Sequence, residues 1–297
     1  MNIHLHNVNV NSSTGPNSFA QKLVKYGPNA SLTFDSMERP EAHLCFIESI
    51  RETFNAPMFQ RLDGIYFNTR SDYNQQNSNI RRIYEMADGV IFQSEFNRQL
   101  ITKYFGEHPN STIIHNGADL EKIESIKVLD NSVINKYENV WCCASHWRPH
   151  KRLDENIRYF IEHASDRDCL IVAGKTSYGQ SHPRVFFTGD FPHNALISLY
   201  KRSKYFLHLA WLDHCPNVVV DARASGCQII CSSAGGTKEI AGPDSIVVQE
   251  DEWDFEPLDL YNPPALDFSK NIKNVLNSEY DMRRVVEKYE DFFSSTK

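Results

Sequence analysis

The chemistry legible in this chain sits in one acidic and one basic stretch. The acidic one, DHCPNVVVDARASGCQIICSSAGGTKE at residues 213–239, opens with Asp213 and Asp221, eight positions apart. A short apolar helix pattern follows, then a Ser-Gly stop, a β-branched run and a Gly-Gly turn, which read as a helix, a strand and a second helix N-terminus. At 3.6 residues per turn, Asp221 falls about two turns along the helix from a loop holding Asp213. Asp221 can reach a sugar-like diol from the side. Asp213 and the helix start formed by Cys215, Pro216, Asn217 and Val218, with its free backbone amides, face something polar or anionic. At the far end Gly235 and Gly236 let the backbone approach a ligand closely.

The basic stretch is SHWRPHKRLDENI, where Arg148 and Lys151 lie three residues apart on a loop after the apolar run Val140–Ala144. A guanidinium fork and an ammonium point charge at the carboxyl end of a parallel strand can close on one diphosphate. A solvated basic loop accounts for the tetrapeptide taken alone; its position ahead of the acidic stretch favours the diphosphate reading. Arg152 reads as a surface or supporting residue. Together the two stretches suit a nucleotide sugar.

These groups need strands to carry them, and apolar runs of four to six residues alternate with helical patterns along the whole chain. The first series is Ile3–Val10, Ser31–Phe34, Leu44–Ile47, Met58–Leu62, Gly89–Gln93 and Thr112–His115. The second is Val140–Ala144, Cys169–Ala173, Val185–Thr188, Tyr205–Ala210, Gln228–Cys231 and Ser245–Val248. Alternating β and α elements predict α/β architecture with parallel sheets, here in two Rossmann-like domains, 1–133 and 134–279. A last helix over 280–297 has a helically spaced apolar stripe that would pack on a domain surface. The Asn-rich patch Asn74–Asn79 reads as a surface loop capping a helix at Ile80–Ala87, placed where it would border an acceptor cleft. In the first domain, Gly15 and Asn17 follow the first strand at a helix start. Arg61 and Asp63 end the fourth strand of the series, where ligand-facing residues sit in open α/β sheets; a strand-ending turn accounts equally well for Asp63-Gly64.

The acidic stretch resembles the E-x7-E donor motif of retaining, GT-B-fold glycosyltransferases of the family 4 type, with both glutamates shortened to aspartate and with the G-G-x-x-E ending kept through Glu239. Arg148 and Lys151 resemble the R-x-x-K diphosphate site of that family, and Thr14-Gly15-Pro16-Asn17 a reduced form of its Gly-rich loop. The resemblance extends over nearly the whole chain. It implies two Rossmann-like domains facing across a cleft, an acceptor-side first domain onto which the terminal helix returns, and a donor-side second domain. It further implies donor binding by Gly15, Asn17, Gly174, Asp190, Phe191, Cys215, Pro216, Asn217, Val218 and Asp221, with Phe191 and the backbone near Asp190 against the base. Arg148, Lys151, Asp213 and Asp63 are the implied catalytic groups, Arg61 and Asp63 the acceptor side. The segment His115-Asn116-Gly117-Ala118-Asp119 resembles the family's NGxD segment at the cleft. The implied reaction moves a sugar from a nucleotide-diphosphate sugar to an acceptor hydroxyl with retention of configuration and without a metal. The nucleotide sugar is a co-substrate and no resident cofactor is implied; the acceptor is a glycan, polysaccharide or glycolipid.

Composition limits the alternatives. With 41% hydrophobic and 23% charged residues the chain is an ordinary globular one, and a net charge of −7 gives no basic field for nucleic acid. The longest apolar run, YFLHLAWL, is broken by His208 and too short to span a membrane, which leaves peripheral contact as the membrane association compatible with the sequence. Seven cysteines, several within strand runs, read as small core residues of a reducing compartment and hence a cytoplasmic protein. A dehydrogenase is a poor third reading, since GxGxxG is absent after the first strand. Among twelve histidines, His4-x-His6 share a strand face, but no nearby Cys or carboxylate cluster completes four ligands, so no metal is assigned. His214-Cys215 lacks an orienting third group and is not a nucleophilic dyad. A second function class stays open: a non-catalytic binding or scaffold protein that keeps the GT-B shape and holds a nucleotide or glycan.

Overall fold

The computed structural model describes residues 2–9, 11–12, 14–27 and 39–296. The predicted strand Ser31–Phe34 lies outside the described residues. The chain divides into two compact units: residues 1–118 with 254–258 and 279–297, and residues 119–253 with 259–278.

In the first unit, β1 (Ile3–His6), β2 (Ala42–Phe46), β3 (Met58–Leu62), β4 (Gly89–Phe92) and β5 (Ser111–Ile113) form a parallel sheet in that order. The helices are α1 (Gly15–Tyr26), α2 (Tyr73–Met86) and α3 (Glu95–Phe105). Side-chain oxygens satisfy the free amides at two of their starts: Asp72 accepts from Gln75 N at 3.0 Å for α2, and Ser94 from Asn97 N at 3.1 Å for α3. The cap at Asp72 puts the Asn-rich patch inside α2 and corrects the expected loop. Asn77 is buried there, and its amide both accepts from Tyr66 N (2.8 Å) and donates to Tyr66 O (2.6 Å). A tertiary partner thus overrides the preference of asparagine for loops.

The second unit begins earlier than the expected 133/134 boundary. Its first helix, α4 (Leu120–Ser125), is capped by Asp119 and tied to this unit by Lys201, whose ammonium donates to Ile123 O at 3.0 Å and Ile126 O at 2.6 Å. There follow β6 (Val140–Ala144), α5 (Leu153–His163), β7 (Cys169–Ala173), β8 (Val185–Gly189), α6 (His193–Arg202), β9 (Tyr205–His208), α7 (Asn217–Ala224), β10 (Gln228–Ser232), α8 (Thr237–Ile240), β11 (Ile246–Val248) and β12 (Asn271–Lys273). The sheet order is β12-β11-β10-β9-β6-β7-β8, parallel except for the antiparallel edge strand β12. Strand order reverses between β6 and β9, so loops leaving their carboxyl ends diverge and open a crevice within this unit. All seven cysteines are free and buried.

The last helix, α9 (Met282–Ser295), buries Met282, Val285, Val286, Tyr289 and Phe293 in the core of the first unit, together with Leu5, Phe19, Leu44 and Phe59. It also reaches Arg61, which is fully enclosed: Nε donates to Tyr289 Oη at 3.0 Å, Nη2 to Asn116 Oδ1 at 2.7 Å, and Nη1 pairs with Asp63. The expected acceptor role of Arg61 is therefore corrected, since a guanidinium enclosed by protein groups is a tie between β3, α9 and the 116–117 turn. The NGxD segment changes meaning as well. Asn116 is buried on Arg61, Asp119 caps α4, and a Cβ on Gly117 would meet Met282 Cα at 2.8 Å. Tyr289→Phe removes the partner of a buried guanidinium N–H and is expected to destabilise the first unit by about 1–3 kcal/mol, read by urea unfolding; unchanged stability would refute the tie.

Candidate functional site

The site is built on the two loops at the strand-order reversal. After β6 the chain runs through exposed Arg148 into a tight turn at Pro149–Lys151, and Arg152 then takes a left-handed conformation (φ 51°) before α5. That reversal sends neighbouring cations in opposite directions. Lys151 points to Asp213, Nζ donating to Oδ2 at 2.5 Å. Arg152 turns inward and grips Glu250 with two parallel bonds of 2.8 and 2.6 Å, with a third to Pro264 O at 2.9 Å. The surface reading of Arg152 is corrected: its side chain is 1% exposed. Glu250 also accepts from Ser232 at the end of β10, so one buried ion pair ties the start of α5 to the ends of β10 and β11.

Asp213 sits in the loop between β9 and α7 and gathers three donors. Besides Lys151, His208 Nε2 donates to Oδ2 at 2.8 Å, and His214 N to Oδ1 at 3.1 Å. Burial alone pushes its carboxyl up, but the Lys151 ammonium and the His208 ring outweigh burial and hold it well below the usual carboxylate range. Burial pushes His208 down, against the pull of Asp213, so a neutral ring donates from Nε2. In the sequence His208 counts only as a break in an apolar run, with no role in the site. Its signal was a polar residue interrupting the apolar run YFLHLAWL at the strand's carboxyl end.

Asp221 lies on the second turn of α7, buried, with Oδ2 3.1 Å from His193 Nε2 at the start of α6. Cys215 is buried, whereas Pro216, Asn217 and Val218 are half-buried at the N-terminus of α7. Gly235 serves a different approach from the one expected. Its φ is +100°, a Cβ there would come within 2.6 Å of Asp213 O, and Gly236 N donates to the same oxygen at 2.8 Å. The backbone it admits is that of the Asp213 loop. Gly174 (φ +104°) likewise meets the loop after β6, where a Cβ would lie 2.1 Å from Ser145 O, and its amide donates to Gly189 O at 2.8 Å. Asp190 is exposed and paired with Lys175 at 2.8 Å; Phe191 is half-buried. The Arg148 guanidinium makes no hydrogen bond or ion pair among the described residues, while its carbonyl accepts from Lys151 N at 2.8 Å. Within this unit the fold thus brings together Lys151, Asp213 and the α7 start at one end of the sheet.

Gly15, Asn17 and Asp63 belong to the first unit. Gly15 opens α1, and Asn17 accepts from Asn9 N at 2.7 Å while donating to Thr14 Oγ1 at 2.7 Å, which ties Asn9 to the start of α1. Asp63 Oδ1 accepts from both Arg61 and Gln93, and its side chain is 14% exposed.

Residues 130–255 match the family described as glycosyl transferases group 1, and this span contains every group from Arg148 to Glu239. An uncharacterized glycosyltransferase of Methanocaldococcus jannaschii is 21% identical over 234 residues, covering 71% of this chain and 59% of the relative, so the chain spans about three-fifths of that protein's length. Among solved structures, HepE of Anabaena in complex with UDP-glucose superposes with a TM-score of 0.66 at 14% identity, over 99% of this chain and 100% of that one. Sucrose-phosphate synthase from Thermosynechococcus elongatus gives 0.61 at 14% identity, over 85% and 86%. The chain has the GT-B glycosyltransferase fold.

The site carries its own acid sensitivity. Burial, reinforced by Lys151, pushes His150 down to about 3, and burial pushes His214 down to about 4. Between these values and about 6.5 the unfolded chain binds more protons than the folded one, so stability rises with pH across the window and is lost as pH falls through it. Depression of the Asp213 pKa acts in the same direction at lower pH. Denaturant midpoints are expected to fall steadily from pH 6.5 to 4.5, and less steeply in His150→Gln or His214→Gln. A flat profile, or a slope unchanged in both variants, would contradict these assignments.

Proposed function

We propose that this protein is a glycosyltransferase that moves a hexose from a nucleotide-diphosphate sugar to an acceptor hydroxyl with retention of configuration and without a divalent ion in the donor site. The observation that carries it is the Lys151–Asp213–His208 cluster beside the start of α7, at the strand-order reversal of the second unit. One ammonium N–H is spent on Asp213, which leaves donors for the diphosphate; Arg148 brings a second cation from the same loop. HepE, of the same fold, holds UDP-glucose. The family match over this unit agrees with such a donor.

In this reading Arg148, Lys151 and the amides at Asn217 and Val218 bind the diphosphate, Asp213 orients the sugar hydroxyls, and Asp221 takes the ribose diol. Gly174, Asp190 and Phe191 border the base. The bond from the anomeric carbon to the leaving phosphate oxygen breaks while the acceptor oxygen forms its bond on the same face. The acceptor proton passes to that phosphate oxygen. Charge accumulating on the diphosphate is what preorganised cations stabilise most. Asp63 takes the acceptor side: with Oδ1 used by Arg61 and Gln93, Oδ2 is the atom available to a glycan, polysaccharide or glycolipid hydroxyl. Seven free cysteines favour a reducing, cytoplasmic setting.

Lys151→Ala and Arg148→Ala are each expected to lower kcat by roughly 10²–10³-fold, Arg148→Ala at near-wild-type stability because its side chain is exposed and Lys151→Ala with some loss of stability because Asp213 loses its ammonium partner, whereas Asp221→Ala weakens free nucleoside diphosphate and nucleotide sugar alike. Titration with nucleotide sugars, followed by transfer assays over donor and acceptor panels, reads both effects. Binding with no transfer to any acceptor would select the scaffold reading instead. Wild-type kinetics in both cation variants would remove them from the site.

Metal independence has a separate check. Initial rates measured with EDTA, at a temperature where the protein stays folded, are expected to match those without it. A rate abolished by EDTA and restored by Mg²⁺ or Mn²⁺ would place a divalent ion on the diphosphate.

A further inference from the structure

The first unit holds a second cluster of chemically capable side chains, outside the groups used above. His4 and His6 point to one face of β1, since alternate strand residues share a face. His43 on β2 is the register partner of His4. Their ligand atoms all lie within 4.8 Å of one another, and the residues are 5%, 7% and 0% exposed. In sequence His4-x-His6 has no completing ligand; the fold supplies one from the neighbouring strand, 37 positions beyond His6.

The hydrogen bonds define which nitrogens are available. His43 Nε2 lies 2.8 Å from Asn55 Oδ1, an acceptor-only atom, so His43 carries its proton on Nε2 and leaves Nδ1 bare. That bare nitrogen faces His6 Nε2 at 2.9 Å, with one proton between them. Two nitrogens bound to one tetrahedral zinc at about 2.0–2.1 Å stand about 3.3–3.4 Å apart, a few tenths of an ångström more than here. The Asn55 contact is the outer-shell bond that fixes ring orientation and tautomer in histidine metal sites. Phe54 walls the cluster edge-on, its ring 5.4 Å from His6 and 5.1 Å from His43. Arg51, the nearby cation, is exposed and screened by solvent.

We propose that His4, His6 and His43 form a zinc site that pins β1 to β2, in which the ion bonds the bare Nδ1 of His43 and Nε2 of His6, the His6 proton moving to its own Nδ1, and a water takes the fourth position. Three imidazoles select a borderline first-row ion such as Zn²⁺ over Mg²⁺ or Ca²⁺. The ion is structural and belongs to the first unit. It takes no part in the diphosphate chemistry assigned to the second.

The test uses untagged full-length protein, stripped with a chelator, then given Zn²⁺ or Co²⁺ and desalted. Elemental analysis is expected to give one zinc per chain, cobalt to give the visible bands of a tetrahedral nitrogen-ligated ion, and zinc to raise the thermal midpoint. His6→Gln with His43→Gln should lose both uptake and midpoint shift while retaining nucleotide binding. If that pair fails to fold, His4→Gln alone should weaken zinc at least tenfold in a competition with a chromogenic chelator. Wild-type protein that takes up no zinc or cobalt, or variants that take up as much as wild type, would overturn the site and leave a hydrogen-bonded histidine cluster.

Discussion

The second unit depends on the divergence of two adjacent cations at Lys151 and Arg152. A left-handed residue other than glycine costs about 1 kcal/mol or more, and it persists at Arg152 because the buried pair with Glu250 fixes it from both sides. A guanidinium taken out of water needs a partner for its charge and for most of its five N–H groups; two bonds to one carboxylate and one to Pro264 O supply much of that. With Arg152 held inward, the preceding residue is presented toward Asp213. The Lys151 ammonium is thus aimed at Asp213 by its neighbour, and the Ser232 contact to Glu250 carries the constraint on to the strand leading into the Gly235 turn.

The first unit repeats the device with different parts. Arg61 lies between the Phe19 and Phe46 rings, 4.1 and 5.2 Å from their centroids, and holds Asp63, Asn116 and Tyr289. In both units a buried arginine near a strand's carboxyl end positions a carboxylate by charge-assisted bonds and ties a distant segment to the sheet. In one the segment is α9; in the other it is the loop ending β11.

Much of this was legible in the sequence because strand and helix signals are local. The runs Met58–Leu62, Val140–Ala144 and Cys169–Ala173 appear at the predicted residues, and Asp221 falls on the predicted helix. What escaped depends on long-range pairing. Arg152 reads in sequence as a surface or supporting residue, and what it supports is settled only by Glu250, 98 positions away. Arg61 ended a strand in sequence as a ligand-facing residue would, but its partner Tyr289 lies 228 positions on. The short edge strand β12, with every residue exposed, carries no burial pattern to read. Gly-Gly at 235–236 signalled close approach correctly, but sequence does not specify what approaches.

The shortened acid at 213 follows from the same geometry. The Asp213 backbone is clamped by the Gly235 turn, and His208 reaches it from the end of β9 only five positions earlier. A glutamate here would carry its carboxylate about 1.5 Å farther out, away from a ring fixed by its strand. The aspartate keeps both the buried histidine and the exposed-side lysine on one oxygen. His208 is fixed by its strand while Lys151 is a long, half-buried side chain, so the buried histidine is the partner that does most to hold this carboxylate in place.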